Sequence, residues 1–290
     1  MRRSLMTMCL VVLSLVVAPR AWAVQPSTKV AIDPERVGVP YEDLVFPSAR
    51  DSVRLHGWWF EAGPNTPVVV CVPRGHGNMA DLLPSVREFI SRGFTVMTFD
   101  YREFGPGGPG EQDSLANLVF ASRWVDDSQG ACELARRRAG SRFVMGWGQD
   151  LGASCVVAVG ARDHLLLDGL CCEGLIRTAQ EQLLWNGTAQ IPDVAKHHRL
   201  VVDGADEPLS AVQRLLVPML VVLAGKDVVT PPKVTRDVTR QSLTRIDRYE
   251  LPVATHEGAE LTPGYFDRVA GWFKWLASAL PPRDTASATH

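Results

Sequence analysis

Residues 148–152 of the sequence have types and spacing that suit catalysis at a carbonyl or alkyl carbon. They read Gly-Gln-Asp-Leu-Gly and follow a short apolar run. Glycines two positions either side of Asp150 permit a sharp turn from a strand into a helix, and such a turn leaves the central side chain exposed above the sheet. The backbone amide of Leu151 would then face the same point and donate to an oxyanion. Asp150 is therefore the first candidate site residue.

An acid and a histidine follow later in the chain. Asp227 comes just after an apolar run at 219–223, and His256 comes just after a run at 246–252. A carboxylate that orients an imidazole supports general-base catalysis, because it fixes the tautomer and stabilises the imidazolium. We therefore expect Asp150, Asp227 and His256 to meet at one catalytic site.

The elements that must hold these residues alternate along the chain between short apolar runs and longer segments of helical spacing. This alternation predicts an α/β fold, a mostly parallel twisted sheet of about eight strands with helices on both faces. Ligands bind at the carboxyl ends of the strands in such sheets, where the candidate residues fall. Strands are predicted at 42–48, 51–61, 67–72, 94–99, 142–147, 164–170, 219–223 and 246–252, and helices at 79–92, 112–126, 151–161, 174–185, 231–242 and 262–278.

Five motifs lie between residues 40 and 278: the hairpin at 53–60, Phe-Asp-Tyr-Arg-Glu-Phe-Gly at 99–105, the glycine turn at 148–152, Lys226-Asp227 and His256. With these motifs the sequence resembles the α/β-hydrolase superfamily, in its branch of small-capped esterases and serine-aminopeptidase-like proteins, over residues 40–278. The resemblance implies the α/β-hydrolase fold. It also implies that Asp150 stands at the nucleophile position, Asp227 at the acid and His256 at the catalytic histidine.

Departures from the family pattern change the chemistry that is expected. The family's esterases carry serine where this chain has Asp150, and the His-Gly dipeptide after the third strand falls on Pro73 and Arg74. Serine acyl transfer therefore lacks its nucleophile, and half of the oxyanion hole is altered. Glu103 replaces a turn glycine, whereas residues 75–78 still supply flexible glycines. The residues assigned to the oxyanion and pocket region are Leu151, Arg74, Pro73 and His76.

Three hypotheses differ in what Asp150 does. In the first, catalysis is lost, and Asp150 caps the following helix or pairs with Arg74. In the second, its carboxylate attacks an alkyl carbon, as in epoxide-opening and dehalogenating relatives, and water activated by His256 and Asp227 hydrolyses the ester. In the third, His256 and Asp227 activate water on small esters or amides.

Two observations weigh against an aspartate nucleophile. Residues 171–216 contain no tyrosine, which the epoxide-opening relatives use as an activator, and Leu151 stands where the dehalogenating relatives carry tryptophan. We therefore expect a weakly active or non-catalytic protein with a binding or accessory role. Its partner would be a small ester-like or alkyl electrophile if it is active, and a protein if it is not.

The sequence predicts neither a cofactor nor a metal. It contains no phosphate loop and no dinucleotide fingerprint. The cysteine spacings do not fit a zinc site, and the adjacent His197 and His198 are predicted to be surface residues. The five cysteines that follow the first 23 residues are predicted to be mostly buried as small apolar side chains.

The start of the chain has the features of a secretory signal peptide. Arg2 and Arg3 precede an apolar stretch at 5–18, and Ala-Trp-Ala at 21–23 fits a signal peptidase site. We therefore expect export to the periplasm or the extracellular space, with no membrane span after cleavage. The 30 Lys and Arg against 32 Asp and Glu exclude a strongly basic nucleic-acid footprint.

The composition favours one large domain with a sizeable core. Hydrophobic residues make up 46% of the chain and charged residues 21%, as in ordinary globular proteins. The predicted organisation is a signal peptide at 1–23, a lead-in at 24–39, the hydrolase domain at 40–280 with a small cap or insertion at 171–216, and a loose tail at 281–290.

Overall fold

The computed structural model describes residues 25–106, 120–185 and 202–281. Within these residues eight strands form one sheet, and β1 and β5 form a separate two-stranded ribbon. The strands are β1 Gln25–Pro26, β2 Tyr41–Pro47, β3 Arg54–Phe60, β4 Val68–Val72, β5 His76–Gly77, β6 Thr95–Phe99, β7 Val144–Gln149, β8 Gly169–Glu173, β9 Met219–Ala224 and β10 Ile246–Leu251.

The main sheet has the strand order β10-β9-β8-β7-β4-β6-β3-β2. The pairs from β10 to β6 are parallel, and β3 and β2 complete the sheet as an antiparallel hairpin at one edge. Strands β4, β6, β7, β8 and β9 are buried at every position. Such continuous burial is expected of central strands that are covered on both faces. The predicted fold is therefore confirmed.

Helices cover both faces of this sheet. The helices are α1 Leu83–Ser91, α2 Ser122–Ala139, α3 Leu151–Arg162, α4 Ala179–Trp185, α5 Pro208–Arg214, α6 Pro232–Thr239 and α7 Tyr265–Ala279. Side chains of α1 and α7, such as Phe89 and Phe273, pack in a core on one face. Side chains of α2, α3, α5 and α6, such as Trp124 and Val156, pack in a core on the other. The sheet is thus held rigidly between two apolar layers, and its strand ends are fixed in space.

The bounds predicted for the strand at 164–170 are wrong, because the strand that forms there, β8, spans Gly169–Glu173. The Asp168 side chain accepts a hydrogen bond from the Val144 backbone amide at 2.7 Å and forms an ion pair with Arg136 at 2.6 Å. These contacts fix the turn before the strand. The apolar run at 165–167 lies in that turn, with Leu165 half-exposed and its two neighbours buried. The run therefore reflected burial and not strand pairing.

The five cysteines of the described residues are all buried, which confirms the predicted burial, and they are free thiols. Cys171 and Cys172 are consecutive residues of β8, so their side chains point to opposite faces of the sheet. Cys171 packs in the core beneath α1 and α7, and Cys172 packs in the core beneath α3. The apolar environment of each thiol accounts for its place in the core.

Several predicted segments lie outside the described residues. These are the signal peptide at 1–23, residues 112–119 of the predicted helix at 112–126, residues 186–201 with His197 and His198, and residues 282–290 of the predicted tail. The predicted insertion at 171–216 begins inside β8 and includes α4 and α5. None of the described helices combines the length and the apolarity needed to cross a bilayer.

Candidate active site

Asp150 lies at the apex of a sharp turn between β7 and α3. Its backbone has φ 53° and ψ −113°, a region that non-glycine residues rarely adopt. A Cβ on Gly148 would lie 2.4 Å from the Gly152 carbonyl, and a Cβ on Gly152 would lie 2.4 Å from the Val72 oxygen. The two glycines therefore allow three backbone segments to meet, and the strained central residue is the expected result.

Asp227 follows β9 and is held by its own loop. Its Oδ1 accepts hydrogen bonds from the backbone amides of Val229 and Thr230, both at 2.8 Å. Its Oδ2 accepts from the Thr230 hydroxyl at 2.8 Å and lies 2.8 Å from His256 Nδ1. Burial alone raises the pKa of Asp227, but hydrogen bonds from His256 and Thr230 outweigh it and hold the pKa below its usual value. Asp227 is therefore an ionised, fixed partner for the imidazole.

His256 lies between two carboxylates. Its Nδ1 contacts Asp227, and its Nε2 lies 3.3 Å from Asp150 Oδ1. Burial lowers the pKa of His256, but the hydrogen bond to Asp227 and the charge of Asp150 outweigh burial and raise it. Burial also raises the pKa of Asp150 to about 7, although His256 and Arg74 oppose that change. The structure thus brings together the three residues that the sequence singled out.

The loop after β4 carries the predicted pocket residues Pro73 and Arg74. The Pro73 carbonyl accepts a hydrogen bond from the Tyr101 hydroxyl at 2.9 Å. Arg74 Nη2 lies 2.7 Å from Glu260 Oε1 and also donates to Gln149 Oε1. The pairing of Arg74 with Asp150 considered from the sequence is therefore not formed, because acceptors from two other elements take the guanidinium.

Of the other two predicted pocket residues, His76 belongs to this loop and Leu151 contacts it. Gly75 has φ 97°, and a Cβ there would lie 2.9 Å from the Leu151 side chain, so this loop packs directly on the turn at 148–152, called the elbow below. His76 belongs to β5 and pairs with Gln25. Burial and the charge of Arg74 lower the pKa of His76, which favours the neutral imidazole.

Sequence reasoning missed Glu173, the last residue of β8. The residue is 3% exposed, and its Oε2 accepts hydrogen bonds from Gln149 Nε2 at 3.0 Å and the Tyr265 hydroxyl at 3.4 Å. Burial raises the pKa of Glu173 to about 8. The signal was present in the sequence, since Glu173 ends an apolar run at the edge of the sheet where sites form.

Glu260, Thr230 and Gly174 were also missed. Glu260 lies on the loop after β10, and its Oε2 accepts a hydrogen bond from the Ser85 hydroxyl at 3.1 Å. No short-range pattern links Glu260 to Arg74, so only the folded loops reveal that pair. Among the described residues, no three His, Cys, Asp or Glu side chains are grouped so that they could hold a metal ion.

Comparison with solved structures shows the fold class. The chain is similar to the Pyrococcus furiosus esterase Pf2001, with a TM-score of 0.67 and 14% identity over 87% of this chain and 99% of that one. It is similar to the α/β hydrolase GrgF from Penicillium sp. sh18, with a TM-score of 0.62 and 15% identity over 83% of this chain and 99% of that one. This chain has the α/β-hydrolase fold.

A longer protein also shares this fold. The Pyrococcus horikoshii acylaminoacyl peptidase matches with a TM-score of 0.60 and 13% identity, over 87% of this chain and 44% of that one. No protein-family model and no curated protein matches the sequence. The structural neighbours are thus esterases and peptidases, and at these identities the likeness concerns the fold alone.

Proposed function

We propose that this protein is an exported α/β-hydrolase-fold protein that has lost serine-type acyl transfer and serves as a binding or accessory protein. A carboxylate at the apex of the elbow has no hydroxyl with which to form an acyl-enzyme from an ester. The imidazole beside it is flanked by a second carboxylate. An Asp–His–Asp ion network therefore stands where a serine hydrolase has a nucleophile and its base.

The contact between His256 Nε2 and Asp150 Oδ1 at 3.3 Å carries the proposal. In a serine hydrolase, Nε2 must be unprotonated in order to take the proton of the nucleophile. A carboxylate at ion-pair distance has the opposite effect, since it stabilises the protonated imidazole. The unprotonated form of His256, which alone can act as a general base, is therefore less populated near neutral pH.

The protonation of Asp150 points the same way. Burial raises its pKa to about 7, so that near neutral pH a large part of the carboxyl is protonated and is a poor nucleophile. The pKa of His256 is also raised. Catalysis by either group requires its deprotonated form, and the raised pKa values of both groups favour the protonated forms.

Turnover measurements on the chain from residue 24 to 290 test the proposal. The substrates are p-nitrophenyl esters, epoxides and haloalkanes, and the His256→Ala variant is the control. We expect wild-type rates equal to those of His256→Ala on every class, because neither group is poised to act. A wild-type rate that exceeds the variant's rate on any class would overturn the proposal.

The Asp150→Ser variant supplies the matched positive control. A serine hydroxyl at the apex of the elbow would restore a proton donor beside His256 and remove the flanking negative charge. We expect this variant to gain ester hydrolysis that disappears in Asp150→Ser/His256→Ala. A gain of this kind shows that the assay detects the activity and that the wild-type carboxylate is the cause of its absence.

A second candidate function is hydrolysis through an Asp150 nucleophile. It is favoured by the placement of the Asp150 carboxylate at the apex of the elbow beside an imidazole that Asp227 orients. The carboxylate oxygen would attack an alkyl carbon and expel halide or the epoxide oxygen, forming an alkyl ester. Water deprotonated by His256 would then attack the carbonyl carbon of that ester and release the alcohol.

Isotope labelling separates this candidate from the first. In H₂¹⁸O, hydrolysis of the ester leaves one ¹⁸O atom in the Asp150 carboxylate, and mass spectrometry of the peptide that contains Asp150 detects it. We expect no label in wild-type protein incubated with epoxides or haloalkanes. Label that depends on substrate and is absent from Asp150→Asn would establish the second candidate.

A further inference from the structure

Two acceptors from different elements bind one nitrogen of Arg74. Nη2 lies 2.7 Å from Glu260 Oε1 and donates to Gln149 Oε1. Glu260 lies on the loop after β10, whereas Gln149 is the last residue of β7 and immediately precedes Asp150. The guanidinium is therefore held beside the elbow residue from two sides.

Each of these acceptors is itself fixed. Glu260 Oε2 accepts a hydrogen bond from the Ser85 hydroxyl at 3.1 Å, so its other oxygen remains directed at Arg74. Gln149 Nε2 donates to Glu173 Oε2 at 3.0 Å. An amide that donates through nitrogen on one side presents its oxygen on the other. The buried Glu173 carboxyl therefore orients the Gln149 oxygen toward Arg74.

Asp150 has two cations within range of its charge. Arg74 and His256 both stabilise the ionised form of Asp150 and oppose the rise in its pKa that burial causes. A carboxylate that is only 11% exposed is stabilised strongly by whichever cation contacts it. Among the described residues, its ion pair is with His256.

We propose that Glu260 and Gln149 are positioning residues that hold the Arg74 guanidinium off the Asp150 carboxylate and so leave that carboxylate to His256. The inference rests on the proposed function in one respect, since it takes the Asp150–His256 contact as the resting arrangement of the site. Loss of either acceptor frees a cation whose charge already acts on the Asp150 carboxylate. The guanidinium then competes with the imidazole for Asp150.

The test is a titration of His256 in ¹⁵N-histidine-labelled protein by NMR, with the resonance assigned by its loss in His256→Gln. In Glu260→Gln we expect the pKa of His256 to fall by about 1 unit, the size of a shift caused by a nearby charge. Most of this fall is expected because Arg74 loses its neutralising partner and moves to Asp150, and removal of the Glu260 charge itself adds a smaller part. An unchanged or raised pKa in Glu260→Gln overturns the proposal.

Glu257→Gln is the matched control, because it removes the same charge from an exposed residue of the same loop. We expect a smaller fall in this variant, since Glu257 does not contact Arg74. A fall equal to that in Glu260→Gln would mean that net charge alone sets the pKa of His256, and it would overturn the proposal.

A double-variant cycle shows whether Glu260 acts through Arg74. Arg74→Met removes the competing cation, so we expect the pKa of His256 to rise. Adding Glu260→Gln to Arg74→Met should then lower it by much less than in the wild-type background. An equal fall in both backgrounds overturns the proposal. If Glu260→Gln does not fold, Gln149→Leu takes its place, because it removes the other acceptor of Arg74. We expect the pKa of His256 to fall in that variant too.

Several titratable and charged groups face His256, and the pKa measured for it depends on all of them. They are Asp150 on the elbow, Asp227 on the loop after β9, Glu173 on β8, Arg74 and His76 on the loop after β4, and Glu257 and Glu260 on the histidine's own loop.

The NMR titration is independent of the turnover assays, because it uses protein without substrate. Turnover by the wild type would overturn the proposed function, but it would not decide the signs of these pKa shifts, which the titration measures separately.

Discussion

Gly174 lies so close to Asp150 that no side chain fits between them. A Cβ on Gly174 would lie 2.3 Å from Asp150 Oδ1 and 3.1 Å from the Thr230 hydroxyl. Gly174 directly follows β8 and has φ 70°, in the region that favours glycine. The Asp150 carboxylate, the loop after β9 and the end of β8 therefore all lie against the Cα atom of Gly174.

Gly174→Ala is expected to destabilise the fold and to displace the Asp150 carboxyl. The methyl group meets Oδ1, and left-handed backbone costs alanine about 1–2 kcal/mol even without a clash. We expect a fall of about 2–4 kcal/mol in the free energy of unfolding, which also includes overpacking. Urea unfolding monitored by tryptophan fluorescence measures it.

Gly271→Ala is the matched control for that substitution. Gly271 is an exposed residue of α7, and a Cβ there would meet no atom within 4 Å. Alanine exceeds glycine in helix propensity by about 1 kcal/mol, so this variant should be as stable as the wild type or more stable. Equal stabilities of the two variants would show that the contact between Gly174 and Asp150 is absent in solution.

The free energy of unfolding is expected to fall as the pH rises from 5 to 8. Burial raises the pKa of Glu173 from 4.5 to about 8 and that of Asp150 from 3.8 to about 7. The folded state therefore binds more protons than the unfolded state in this range, and stability is lost as the pH rises through the raised values. Each group contributes at most about 1.4 kcal/mol per pH unit.

Glu173→Gln isolates the contribution of Glu173 to that slope. The amide oxygen can still accept hydrogen bonds from Gln149 and Tyr265, but the side chain no longer ionises. We expect a shallower dependence of stability on pH between 5 and 8, measured by chemical unfolding at a series of pH values. Glu257→Gln, at an exposed site, should keep the wild-type slope. Identical slopes in all three proteins would refute the assignment to Glu173.

Asn78 is expected to tie the N-terminal residues to the loop that carries Arg74. Its side chain is buried, and Nδ2 donates to the carbonyls of Ser27 at 3.1 Å and Lys29 at 2.7 Å. Asn78→Ala leaves both carbonyls without that donor, and we expect the free energy of unfolding to fall by about 1–3 kcal/mol. We expect faster hydrogen exchange at the Ser27 amide, which donates to the Gly77 carbonyl at 2.8 Å. Asn65→Ala, at an exposed residue, should change neither the free energy of unfolding nor the exchange rate of the Ser27 amide.

The five cysteines after the predicted signal peptide are expected to be unreactive thiols in the native protein. All are buried, and burial raises their pKa values, so little thiolate is available to react. A chromogenic thiol reagent should detect none in the native chain from 24 to 290 and five after unfolding. A mass lower by two hydrogens before reduction would reveal a disulfide and contradict the structure.

The sequence alone determined the fold class and the meeting of three residues. Alternating apolar runs and helical segments imply a parallel sheet, and the carboxyl ends of its strands must share one edge. Asp150, Asp227 and His256 each follow a predicted strand, so their approach did not depend on any detail of packing. Glycine at 148 and 152 likewise indicated the elbow, because crowded backbones there exclude a Cβ.

A local pattern was insufficient where apolar residues serve a turn. The leucines at 165–167 have the composition of a strand, but the pairing begins at Gly169 because contacts of Asp168 with Val144 and Arg136 fix the preceding turn. Those partners lie more than twenty residues away in sequence. Register therefore depended on tertiary contacts that hydrophobic patterning does not contain.

Only the tertiary structure decided which groups surround the elbow carboxylate. From the sequence, Arg74 was a candidate partner of Asp150, yet it pairs with Glu260, 186 residues away, and with Gln149. Once the strand ends are fixed, distance and desolvation determine which side chains on separate loops form ion pairs. Local spacing defines the position of each residue in its element, whereas ion pairing depends on the three-dimensional meeting of those elements.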